Sequence, residues 1–162
     1  MSGLLTLLDE FYREKLAATM AHQAGARLVA QYDANNTYQY IINREDAHLS
    51  WLAAAIAELG GSVAATASEP PRQVSGTGRD AWKPIAEEDA RAAQAFVDRW
   101  RPRVEAMNNA RHRRMLNIIL GETLEQKRFF QQAAAGEVDL LGRRPDHVGP
   151  RVGQVLPTRW IE

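Results

Sequence analysis

The stretch "SVAATASEPPRQVSGTGRD" (62–80) most constrains this chain. It is small and polar, with two prolines and two glycines and no apolar period. A structureless connection of about 19 residues inside a compact domain requires a structural purpose. On either side lie two segments with helical periodicity. In 4–32, Leu4, Leu8, Phe11, Tyr12, Thr19, Ala26 and Val29 recur at three- and four-residue spacing. In 38–59 the stripe is Ile41, Ile42, Leu49, Leu52, Ile56 and Leu59, closed by "GG" (60–61). A third helix is predicted from Trp82 or Pro84 with Ile85, Ala92, Phe96 and Trp100 on one side, ended or kinked at Pro102. A fourth is predicted over 110–135 and stopped by Gly136, with Met115, Leu116, Ile119, Thr123 and Phe130 inward. The turns fall at "DANN" (33–36), where Asn36 or Thr37 is the expected cap, and at "MNN" (107–109).

Two tight helical hairpins joined by a long link define an all-α, four-helix bundle with a crossover connection. The link can span on the order of 60 Å at ~3.3 Å per residue. A helix of ~22–25 residues is only about 33–38 Å long. The link can therefore return the full length of the bundle. The expected organisation is a bundle over 1–136, crossover 62–80, and an extended tail over 137–162.

Composition narrows the functional classes. Lysine plus arginine and aspartate plus glutamate number 20 each. This balance argues against a strong electrostatic partner such as nucleic acid or an anionic membrane surface. Two basic clusters, "RWRPR" (99–103) and "RHRR" (111–114), read as solvated helix ends. Cysteine is absent, which removes disulfides, thiolate ligands and thiol catalysis and suits a cytoplasmic protein. The first residues lack a basic n-region, and no apolar run is long enough to span a membrane. Trp51, Trp82 and Trp100, with Val152, Val155, Leu156 and Trp160 in the tail, carry more apolar surface than a thin bundle easily hides. A homodimer is therefore expected.

The chemistry-bearing feature is an internal echo. "IINRE" (41–45) and "IILGE" (118–122) each place a glutamate after an isoleucine pair and two intervening residues, in the second helix of a hairpin. His48 follows Glu45 by three residues and Glu125 follows Glu122 by three, so each pair shares a helix face. Glu45 falls near the centre of its apolar stripe, His48 and Glu122 on its edge, and Glu125 further out. An unpaired carboxylate at such a place costs several kcal/mol. A bound cation, a buried arginine or protonation would each answer it.

With "REDAHLSWLAAAIAELGG" (44–61), "IILGETLEQKRFF" (118–130) and the hairpin–crossover–hairpin layout, the chain resembles the ferritin-like superfamily, in the broad sense of rubrerythrin-like bundles. The resemblance covers about 4–135. It implies a carboxylate- and histidine-bound iron or manganese centre of one or two ions. Glu45 and His48 match the first Glu-x-x-His. Glu122 matches the second glutamate, and Glu125 stands where a histidine is expected. Asp89 is the candidate carboxylate of the third helix. The first helix offers no clear inward carboxylate, and His22 is its candidate ligand, at the level of His48. A competing arrangement turns the second hairpin at Pro102 and brings His112 to that level instead. His147, in the tail, is not expected to bind metal. Tyr12, Tyr38 and Tyr40 either line the site or simply fill core. The function implied is oxygen- or peroxide-dependent redox chemistry or iron handling. The alternative is a metal-free bundle serving as a binding or scaffold module.

Overall fold

The computed structural model describes residues 3–63, 67–138, 140 and 141. All regular structure among them is helical: α1 (Gly3–Ala26), α2 (Tyr32–Glu58), α3 (Lys83–Glu105) and α4 (Ala110–Ala134). The closest packing is within the hairpins, α1 on α2 and α3 on α4, with thinner contacts of α2 on α4 and α1 on α3. The fold is an all-α four-helix bundle. No described helix is long and apolar enough to cross a membrane.

The sequence expectations for the helices hold, with two shifts. The first turn lies earlier than "DANN". The α1 helix stops at Ala26, and Gln31 caps α2 by accepting from the Ala34 backbone N–H at 2.6 Å. Asn35 lies inside the first turn of α2. It reaches back through its side-chain amide to the carbonyls of Ala26, at 2.8 Å, and Val29, at 3.2 Å. The Ala26 carbonyl, last in α1, also accepts from the Val29 N–H at 3.3 Å, so the amide reinforces the turn that closes the helix. The second shift concerns Pro102, which lies inside α3 instead of ending it. Burial of Val104 and Met107 draws one more turn onto the core, and the Arg103 guanidinium stacks 4.2 Å from the Trp100 ring centroid. The second turn is where "MNN" placed it. Asn109 caps α4 by accepting from the His112 N–H at 3.0 Å.

The crossover does return the length of the bundle. Gly61 lies against Leu5 near the start of α1. Arg72 donates to the Ala21 carbonyl near the end of α1, at 2.9 Å. The helices α2 and α3 consequently start at the same end. Beyond Gly136 only 137, 138, 140 and 141 of the expected tail are described, and Leu140 and Leu141 pack on the bundle. The remainder of that tail, His147 included, lies outside the described residues.

The core has two apolar halves. One holds Leu8, Phe11, Leu52, Ile56, Trp100 and Leu116, with Phe11 edge-on to Trp100 at 4.8 Å and to Phe96 at 5.2 Å. The other holds Val29, Tyr38, Ile41, Ile85, Phe130 and Ala133. Between them runs a buried polar layer: Lys15, Thr19 and His22 from α1, Glu45 and His48 from α2, Asp89 from α3, Thr123 and Gln126 from α4.

Trp100 and Trp82 are 0% and 4% exposed, so the bundle hides both by itself. Of the three tryptophans that motivated a dimer, Trp51 alone stays open, at 38%.

Candidate functional site

The polar layer exists because four helices place hydrophilic residues on their inward stripes at one height. Lys15, Thr19 and His22 continue the stripe of Leu8, Phe11 and Tyr12 at three- and four-residue steps. Glu45 and His48 do the same between Ile41, Ile42 and Leu52.

Glu45 is fully buried. Its Oε1 accepts from Lys15 Nζ at 3.1 Å and its Oε2 meets His22 Nδ1 at 2.8 Å. A carboxylate only accepts, so the Nδ1 nitrogen of His22 carries the proton. Burial alone would push the Glu45 carboxyl up. The attraction of His22 and Lys15, with their two hydrogen bonds, outweighs it and holds the group down at about 2. Lys15 is itself 1% exposed and lies 5.8 Å from the Phe96 ring centroid. The other ring nitrogen of His22, Nε2, faces Asp89 Oδ1 at 4.0 Å.

Asp89 is buried and answered from two sides. The Tyr38 hydroxyl donates to it at 2.5 Å, and Arg72 of the crossover at 3.0 Å. Burial and the Asp89 charge push the Tyr38 hydroxyl strongly up, so it stays protonated as a donor. Arg72 also reaches the carbonyls of Ala21 and Ile85 and the carboxylate of Glu88. The guanidinium therefore pins the crossover onto both α1 and α3.

Glu122 forms a second, separate group on the α2–α4 face. Arg44 donates to it through two nitrogens, at 2.6 and 3.1 Å, and His48 Nε2 meets it at 2.5 Å. Partial burial pushes its carboxyl up. The hydrogen bonds from His48 and Arg44 win and bring it down to about 2. Burial pushes His48 below its ordinary value. A neutral His48 donates through Nε2, and Arg44 supplies the charge.

Of the six expected ligands, then, His22, Glu45 and Asp89 share one buried cluster, and His48 and Glu122 form another. Glu125 joins neither. It is half exposed and pairs with Arg128 one turn on, in keeping with its outward place on the wheel. His112 sits near the opposite end of the bundle. Its neighbour Arg111 pairs with Glu58, ten residues or about 15 Å beyond His48 along α2. The competing turn at Pro102 is therefore not the one this chain makes.

An iron or manganese centre, as the resemblance implies, needs open lone pairs on the histidines and carboxylate oxygens free to share a cation. Here His22 donates from Nδ1 to Glu45 and keeps a lone pair on Nε2, 4.0 Å from Asp89, and His48 donates from Nε2 to Glu122 and leaves Nδ1 without a partner among the described residues. The carboxylates are the groups already engaged: Glu45 by the Lys15 ammonium, Asp89 by Arg72 and Glu122 by Arg44. Among the described residues no group of three or more histidines and carboxylates is arranged to hold a metal ion. As paired here, the carboxylates are not free to share a cation.

Sequence reasoning missed Lys15 and Arg72. Lys15 had a signal, since it sits on the apolar stripe of α1 midway between Phe11 and Thr19. Arg72 had none, because the crossover has no period from which to read a direction. Three arginines of the basic clusters form cross-helix pairs: Arg99 with Glu14, Arg103 with Glu10, Arg111 with Glu58. No protein-family model matches the chain, and no curated protein matches it.

Proposed function

We propose that this chain is a metal-free bundle of ferritin-like ancestry that acts by binding, with fixed side-chain cations standing where a relative would hold metal. The observation that carries the reading is the Lys15–Glu45 pair. The carboxylate best placed to be a ligand is ionised, fully buried and already neutralised by an ammonium of the same chain. Asp89 and Glu122 are answered in the same way, by Arg72 and Arg44.

The binding surface in this reading is the α2–α4 face. It carries Trp51 and Ile118, both more than a third exposed, beside the half-open Arg44–Glu122 pair, with Tyr40 edge-on to Phe129 further along. Apolar groups around a mutually compensating ion pair suit a helical partner, and a second copy of this chain is the first to test. A cytoplasmic setting belongs to the same proposal.

Metal analysis after loading with Fe(II) or Mn(II) under argon tests the metal-free reading. Wild type should retain no more metal than Glu45→Ala or His48→Ala. One or two ions per chain in wild type, lost in both variants, would restore the metal-dependent redox reading. The convergence of His22, Glu45 and Asp89 on one layer favours that rival. Sedimentation tests the partner, since a mass near 18.1 kDa at micromolar concentration would exclude self-association through this face.

A further inference from the structure

A cavity of about 60 Å³ lies inside the polar layer. Lys15, His22, Glu45, Asp89, Thr123 and Gln126 line it together with alanines and Phe96. Ala18, Ala21, Ala92 and Ala93 make the room, because small side chains from α1 and α3 meet where larger ones would close the bundle. Ala92 is exposed and Ala18 half-buried, so the seam between α1 and α3 gives the cavity a mouth.

The lining has unspent hydrogen-bonding capacity. Gln126 is 3% exposed, and its amide nitrogen finds no partner among the described residues. A buried donor in that condition is costly unless something in the cavity accepts from it. Lys15 has three N–H groups and donates one to Glu45. Thr123 donates its hydroxyl proton to the Ile119 carbonyl at 2.8 Å, which leaves the oxygen able to accept. Apart from His22, which carries charge only when protonated, the formal charges of the layer cancel already: Lys15 and Arg72 against Glu45 and Asp89. An additional ion would unbalance a buried cluster, whereas an uncharged ligand would not.

We propose that this cavity is a binding site for a small uncharged amide. The carbonyl oxygen would accept from Gln126 and Lys15, and the amide N–H would donate to Thr123. The volume suits about two to four waters, and hence an amide of about four heavy atoms. The inference rests on the metal-free reading, because an ion in the layer would take the same space.

The test uses the ¹⁵N-labelled full chain, shown free of metal by analysis, titrated with acetamide while the Gln126 side-chain amide resonances are followed by NMR. They should shift along a saturating curve with a dissociation constant on the order of millimolar, as befits so small a ligand. Ala18→Leu and Ala92→Leu fill the mouth from partly open positions that tolerate a larger side chain, and each should weaken binding at least tenfold. A linear, non-saturating shift in wild type, or the same curve in both filled variants, would overturn the proposal. Bound metal would instead appear in the metal analysis, before any acetamide is added, so the two failures are distinct.

Discussion

Replacing Lys15 by methionine probes the centre of the bundle most directly. The side chains are similar in length, so the apolar contacts largely persist while the charge and the hydrogen bond to Glu45 disappear. In the wild type Glu45 is held at about 2 against an ordinary 4.5. At ~1.4 kcal/mol per pH unit, that difference corresponds to about 3–4 kcal/mol of folded-state stabilisation at neutral pH, shared between His22 and Lys15. Breaking a buried pair by removing one partner costs about 3–5 kcal/mol; with His22 still bonded to Glu45, the loss should lie at the lower end, about 3 kcal/mol. For a chain of this size the melting temperature should fall by about 6–12 °C at pH 7. The sign with pH is specific. In the wild type the carboxyl is depressed, so its contribution is full above 4.5 and drains away as pH falls toward 2. In the variant, burial still pushes the same carboxyl up and His22 alone opposes it, so the carboxyl is depressed less and its ionised form contributes less as pH rises. The gap between the proteins should therefore be widest near pH 7 and narrower at pH 4. Urea melts followed by circular dichroism at both values measure it. A gap that is equal at pH 4 and pH 7, or absent, would mean that Lys15 does not neutralise Glu45.

Other expectations follow from single contacts. Gly121→Ala, on α4 with open space around the added methyl, should raise stability by about 0.5–1 kcal/mol in the same melts. Gly25→Ala should do the opposite despite lying in a helix. Its methyl would sit 2.6 Å from the Arg72 guanidinium and push it off Asp89, a loss of about 1–3 kcal/mol. Glu122→Gln should cost only about 1 kcal/mol, because its pair with Arg44 is about a third exposed and screened; 1 M salt should shrink that cost while leaving the Lys15→Met effect largely intact. A chelator should leave the wild-type melting temperature unchanged, and a drop of several degrees would contradict the metal-free reading.

The helices were legible because each carries a continuous stripe, and the long crossover because it carries none. The second turn was legible through Asn109, whose side chain does the capping expected of it. The first was misjudged because a glutamine at 31 took that role, and Asn35 spends its amide backward on α1. The inward placement of Glu45 and Asp89 was also readable from the wheel, with His48 at the edge of its stripe, and His22 was placed by its level along the bundle. What answers their charge was not. The echo of "IINRE" and "IILGE" suggested two glutamates facing one another, yet Glu45 turns to α1 and Glu122 meets Arg44 on the outer α2–α4 face. Period and spacing give the direction of a side chain but not its partner across the bundle. That partner is decided by three-dimensional neighbours such as Lys15 and Arg72.

The charged layer between the two apolar halves also acts as a register lock. Leucine, isoleucine and phenylalanine packed at both ends would tolerate one hairpin slipping past the other by a helical turn, about 5.4 Å, with modest repacking. The layer does not tolerate it. Such a slip would carry Lys15 toward purely apolar surroundings and strand Glu45 and Asp89 without their cations, at several kcal/mol apiece. A bundle with an all-apolar interior could have many nearly equivalent alignments. This chain has one alignment in which every buried charge meets its opposite.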